Sequence, residues 1–181
     1  MQTFKFVLTL LSLSVFLACA TNKKSAVTNA NYDETKNQTD YIVPSLGSVS
    51  LPGKWEKRHY NNVSQEQFFL NSDSIEVSVA FNRFDRYQFN LNGEFKGWDF
   101  VQAYCEWERG NQYNMASALL VQDMVRNFII YKIFDTNDKP KIDSCFLVGE
   151  KDGNVIVLSI STTDKWTDKE KIKFLKSVYV K

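Results

Sequence analysis

Histidine, cysteine and clustered carboxylates are the side chains that most often carry chemistry, and this chain is sparing with all three. It has one histidine, His59, and three cysteines, Cys19, Cys105 and Cys145. Group transfer or hydrolysis needs an activated nucleophile beside a base. No serine stands in a G-x-S-x-G elbow to meet His59, which falls on an expected strand beside Tyr60. A lone histidine on a strand is ordinarily structural. Zinc or copper needs several His, Cys or carboxylate ligands, more than one histidine and two scattered cysteines supply. Calcium is better served by Asp135, Asn137 and Asp138 with Asp143 nearby, but this loop lacks the glycine and closing glutamate of an EF-hand. Asp and Asn are ordinary turn residues, so a turn is the preferred reading. Glu106 and Glu108 stand two apart on an expected helix and point to different sides, which makes no acid/base pair. No phosphate-cradling G-x-G-x-x-G or Walker A loop occurs. The chain reads as a non-enzyme with no metal and no cofactor.

Two features stay open. Cys105 and Cys145 are far apart and not in a C-x-x-C arrangement; in an exported protein they could bridge, or remain free, partly buried thiols. Five aromatics, Phe84, Tyr87, Phe89, Phe95 and Trp98, concentrate in a stretch without helical or strand period. Large aromatics are enriched at protein-binding hot spots. Equally, such a loop can fold over a sheet and finish its core, and that is the preferred reading.

The N-terminus addresses the chain. Phe6 to Ala18 is a nearly unbroken apolar run after a start with one positive charge, Lys5. It is shorter than the roughly 20 residues of a membrane-spanning helix, and it ends in a small residue, as a secretory signal does. The stretch Val15-Phe16-Leu17-Ala18-Cys19 resembles the lipobox of bacterial lipoproteins. That resemblance implies cleavage before Cys19 and lipid on its thiol. Residues 1–18 are then the signal peptide and 19–40 the lipidated cysteine and a flexible tether, Thr21 to Asp40 being polar and aperiodic. Residues 41–181 form one domain, long enough for a core of its own. Of 22 basic and 21 acidic residues only Lys5 precedes Cys19, so the remainder is balanced. Balance of that kind gives no electrostatic footing for nucleic acid.

The elements follow from periodicity. Gly47 to Leu51 alternates, Pro52-Gly53 turns, and Trp55 to Tyr60 reads as the return strand. Glu66 to Leu70 and Ser74 to Phe81 read as a second hairpin. In the latter Ile75, Val77, Val79 and Phe81 share a dry face and Ser74, Glu76 and Ser78 a wet one, predicting a sheet covered on one side. Phe100, Ala103, Tyr104 and Trp107 fall on one helical stripe, with Asp99 and Gln102 placed as a capping box and Gly110 as a stop. Strands follow over 118–125, 127–134, 141–150 and 155–161, with Lys151-Asp152-Gly153-Asn154 a hairpin turn. A last helix opens on a capping box of Thr167 and Glu170. It carries Ile172, Phe174, Leu175, Val178 and Tyr179 on its apolar arc; Lys171 falls inside that arc, a blemish that snorkelling would relieve.

The fold class is therefore α+β: a single antiparallel sheet of about six to eight strands with a central and a C-terminal helix packed on it. The run Val49-Ser50-Leu51-Pro52-Gly53-Lys54-Trp55, then Gln67-Phe68-Phe69, the strand Ser74 to Phe81 and the sheet-then-helix ending resemble the PsbP-like superfamily, including periplasmic lipoproteins of the DcrB type. The resemblance implies a central antiparallel sheet between helices and carries little about function. Two functions fit. One is a non-enzymatic binding or accessory module, lipid-anchored in the bacterial envelope, facing the periplasm in a Gram-negative cell and contacting an envelope protein. The other is a carrier of a small apolar ligand, which predicts a pocket of at least ~300 Å³ lined by Trp55, Phe81, Phe128 or Trp107.

Overall fold

The computed structural model describes residues 28–111, 115–135 and 142–180. Cys19, the signal segment 1–18 and the tether up to residue 27 lie outside the described residues, as do Asn137 and Asp138.

Among the described residues, ten strands and two α-helices are arranged in layers. A three-stranded sheet contains β1 (Asn29–Asp33), β2 (Gln38–Val43) and β3 (Gly47–Pro52) in sequence order. A seven-stranded sheet contains β4 (Trp55–Asn61), β5 (Glu66–Asn71), β6 (Glu76–Arg83), β7 (Ala116–Asp123), β8 (Phe128–Phe134), β9 (Asp143–Lys151) and β10 (Asn154–Ile160). Its order is β4-β5-β6-β10-β9-β8-β7, with every neighbouring pair antiparallel. Helices α1 (Gly97–Asn111) and α2 (Asp168–Tyr179) complete the set. The α+β class and both helices agree with the expectation from sequence.

Three expectations are corrected. The strands do not form a single sheet: β3 pairs with β2, not with β4 as the Pro52-Gly53 turn suggested, and the chain changes sheets there. Thr39 sits at that corner, its hydroxyl accepting from the Trp55 amide and donating to the Gly53 carbonyl. The tether does not run to residue 40, because β1 and the start of β2 lie inside it. Their polar composition hid them, since few of their side chains enter a core. Nor is the large sheet covered on one side only.

On its first face Phe69, Val77, Val79, Phe81, Leu147 and Leu158 meet Tyr41, Val49 and Leu51 of the small sheet and Leu175 and Val178 of α2. On its second face Ala80, Ile129, Tyr131, Val148, Val155 and Val157 meet Phe100, Val101 and Tyr104 of α1. Ser78, on the face expected to be wet, is only 1 % exposed; its hydroxyl lies 2.6 Å from that of Ser159 on β10 and donates to Glu66. Pairing between hydroxyls lets polar residues line a covered face without orphaned donors.

Local choices position these layers. Helix α2 begins with the capping box foreseen, Thr167 accepting from the Glu170 amide while Glu170 reaches back to the Thr167 amide. Lys171 does not snorkel. It is 1 % exposed, and its ammonium donates to the Asp143 carbonyl and faces the Asp143 carboxylate. A bulge in β4 between Lys57 and Tyr60 is held by the buried Gln67 amide, which donates to the Arg58 and His59 carbonyls. At Gly149 on β9 a Cβ would fall inside the ring of Tyr179, which crosses the strand there and donates to the Arg126 carbonyl.

Gly149→Ala is expected to cost about 1–3 kcal/mol in urea unfolding, and most of that cost should disappear in a Tyr179→Ala background. Leu175→Ala, which empties a fully buried site under α2, is expected to cost about 2–5 kcal/mol in the same measurement.

Candidate functional site

The stretch between β6 and α1 is ordered by its own polar contacts. Two single-turn 3-10 helices, Phe84–Arg86 and Gln88–Asn90, lead into a connection that Asn90 ties together. Asn90 is 1 % exposed; its amide donates to the Phe84 and Phe95 carbonyls and its oxygen accepts from the Phe95 amide. Glu150 at the end of β9, also buried, accepts from the Gly97 amide that opens α1 and from the Gly153 amide in the β9–β10 turn, both at 2.6 Å. Glu150 thereby fixes the end of the segment at Gly97, and the Phe84 amide, donating to the Gly153 carbonyl, holds its start.

Of the five aromatics expected either to bind a partner or to finish the core, most finish the core. Tyr87 stands edge-on to Phe100 and Tyr104 at 5.4 Å each, and Phe89 lies 5.3 Å from Phe100 and 5.6 Å from Trp107. Phe84 and Trp98 pack partly buried against the same cluster. Phe95 alone among the five stands with the exposed large hydrophobics, at 39 % exposure.

The two cysteines are free and sit on opposite faces of the sheet, Cys145 in the core under α2 and Cys105 on α1. The disulfide left open by the sequence does not form. Burial pushes both thiols up to about 12, which keeps them protonated at neutral pH. His59 stacks on Phe68 at 4.3 Å, on the edge strand. Asp143 is engaged with Lys132 at 2.8 Å and with Lys171. Among the described residues no three His, Cys, Asp or Glu side chains are grouped as metal ligands.

Among the hollows beside α1, one opens between the helix and the sheet face toward β5 and β6. Helix α1 lies over β8 and β9, so part of the second sheet face, toward β5 and β6, opens into a cleft of about 510 Å³. Its floor is Ala80, Val157, Phe146 and Tyr131 from four adjacent strands. One wall is Tyr104, Trp107 and Glu108 of α1, and Tyr87 adds a third ring. Glu66 on β5 stands opposite; Ser64 and Ser78 donate to its two oxygens. The mouth is formed by exposed residues, Val63 to Gln65 in the β4–β5 turn and Arg86 with Gln88. Burial first, and the Glu108 and Glu66 charges after it, push the Tyr87 hydroxyl up to about 12 and that of Tyr104 well above its ordinary value.

Of the four residues expected to line a pocket, Trp107 does so, whereas Trp55, Phe81 and Phe128 are filled core on the other face. Glu66, Tyr131 and Phe146 were not singled out from sequence. The available signal was the outward alternation of β5 and β9, legible only once a second layer over that face is known.

No protein-family model matches the chain, and no curated protein matches it. Among solved structures, it is similar to the solution structure of the cyanobacterial PsbP protein, CyanoP, of Synechocystis sp. PCC 6803. Identity is 14%, with 89% of this chain and 95% of that chain covered and a TM-score of 0.41. A likeness at that level carries no functional weight.

Tyr87→Ala is expected to lower stability by about 2 kcal/mol or more, as a core ring would, whereas Phe95→Ala should stay within about 0.5 kcal/mol. Alkali offers a second check. Tyr87, Cys105 and Cys145 hold their protons more tightly folded than unfolded, against ordinary values of 10.0 and 9.0. Their contribution is fully present below pH 9 and is lost as pH rises through about 12. Melting temperature should therefore be level up to pH 9 and fall steeply above it; a level profile to pH 12 would contradict the burial assigned to these groups.

Proposed function

We propose that this chain is a non-enzymatic binding module held to a bacterial envelope membrane through lipid on Cys19. The observation that carries the binding role is the ring-walled cleft between α1 and the sheet. Its volume falls within the roughly 300–1,000 Å³ of small-molecule sites, and it joins an apolar floor to a few polar groups, as such sites do. The side chains lining it stack, donate and accept, and they include neither the histidine nor a cysteine. Association is the chemistry they offer. The N-terminal apolar run and Cys19 support the anchor, and Phe95 is the one of the five loop aromatics exposed enough to meet an envelope protein partner.

The carrier reading is narrowed by the same cleft. Its mouth is open and polar, which suits a ligand that enters and leaves from solvent more than one sealed in an apolar interior.

Two measurements test this. Cys19→Ser should move the protein from the membrane to the soluble fraction or leave an unprocessed precursor; unchanged mature mass and fractionation would refute the anchor. Native mass spectrometry of the full chain extracted from its membranes should show a bound small molecule, lost when the mouth is blocked by Gln88→Trp. Bare protein mass in both samples would refute the binding role.

A further inference from the structure

Two turns of the large sheet are built alike and carry an apolar tip. Because every neighbouring pair is antiparallel, the β4–β5, β7–β8 and β9–β10 turns and the close of β6 fall at one end of the sheet. At the β4–β5 turn the Asn61 side-chain oxygen accepts from the Val63 and Ser64 amides, and Gln65 turns the chain at φ 60°. At the β7–β8 turn Asp123 accepts from the Arg126 amide, and Asn127 turns the chain at φ 51°. Two places after the Asn or Asp stands a valine in each case, Val63 and Val125, 95 % and 94 % exposed. The turn itself does not ask for one. The β1–β2 turn repeats the construction, Asp33 accepting from the Thr35 and Lys36 amides with Asn37 at φ 46°, and there the position holds Thr35. Asn37 accepts from the Gly53 amide, just before β4 begins, so that turn lies at the opposite end. The β5–β6 turn, also at the opposite end, is Ser72-Asp73-Ser74.

A single exposed apolar side chain is ordinary. Here a matched pair shares one end, Met124 next to Val125 is exposed as well, and α2 finishes there on the exposed Val180, with Tyr179 donating to the Arg126 carbonyl. The two turns are roughly 24 Å apart at the spacing of paired strands. Separate tips are a poor protein interface, which is a contiguous and closely packed patch. A bilayer, being fluid, closes around each tip independently. Thr28 stands nine residues after Cys19 and is held on β4 by Lys57, which donates to its carbonyl and hydroxyl. Nine residues reach at most roughly 30 Å, so lipid on Cys19 keeps the membrane within that distance of β4. At such range even weak insertion is populated, because the second contact is intramolecular. Charge contributes little, since 62–65 is uncharged and Arg126 pairs with Asp123 inside its own turn.

We infer that the end of the large sheet formed by the β4–β5 and β7–β8 turns rests on the lipid bilayer, with Val63 and Val125 inserted at its surface. This rests on the reading of Cys19 as the lipid anchor.

The test places an environment-sensitive fluorophore on Val63→Cys, Val125→Cys and, as the reference turn, Thr35→Cys, in the lipidated full chain. Labelling at neutral pH spares Cys105 and Cys145, which stay protonated. All three are exposed turn positions, so the fold should persist. The chains are bound to phosphatidylcholine vesicles with or without bromine high on the acyl chains, and flotation is read on the same samples. Brominated lipid should cut emission from positions 63 and 125 at least about twofold and leave position 35 within about a tenth. Flotation with all three labels unquenched, or all three quenched alike, would overturn the docking and leave the anchor standing. A label at position 125 that shifts to the blue without quenching would mean that a protein covers the tip, and would overturn it too. Failure to float would refute the anchor and this inference together.

Discussion

The central strands β6, β10, β9 and β8 carry apolar residues on both faces, and the rest of the molecule is arranged to cover them. A sheet with one solvated face needs a single cover. This one needs two, and they are unlike. The first face is closed by a small sheet and α2 together, the second by α1 and the aromatic connection before it. Because α1 is narrower than the sheet beneath it, the second cover is incomplete, and the cleft occupies the uncovered part. The candidate site is thus a by-product of how much sheet one helix can roof.

Polar groups decide where each cover sits. Glu150 fixes the start of α1 through the Gly97 amide, and Asn90 closes the connection leading to it. On the other face Lys132 bridges Asp143 on β9 and Asp168 at the start of α2, with Lys171 beneath them. A buried ammonium is costly unless it is paired and hydrogen-bonded. Here the pairing also specifies where α2 lies along the sheet. Apolar contacts supply the drive, and these charged and amide contacts set the alignment.

Most strands and both helices were legible because each carries a period of its own. Ile75 to Phe81 alternates, Phe100 to Trp107 keeps a helical stripe, and Thr167 with Glu170 announces a helix start. What was hidden depends on tertiary partners. The alternation in β6 shows Ser78 as polar, but not that Ser159 lies across the sheet to satisfy it. Asn29 to Asp33 offers only Ala30 and Tyr32 on its inward face, too short an alternation to stand out from a polar stretch, and it is held as a strand by pairing with β2. Pro52-Gly53 marks a turn correctly, yet whether the chain turns back or crosses to another sheet is settled by Thr39 and Trp55 on either side of it. The cleft was least legible, since its floor draws one residue from each of four strands.

The four tryptophans are divided evenly between the two covers. Trp55 and Trp166 lie together on the first face, 6.4 Å apart with Phe174 against both, while Trp98 and Trp107 belong to the second. Intrinsic fluorescence is therefore two signals added together. Replacing Trp55 and Trp166 with phenylalanine would leave emission that reports the α1 side alone, and Trp107 places one of those emitters in the cleft wall. The complementary pair would report the α2 side, so the two halves of the core can be watched separately as the chain unfolds.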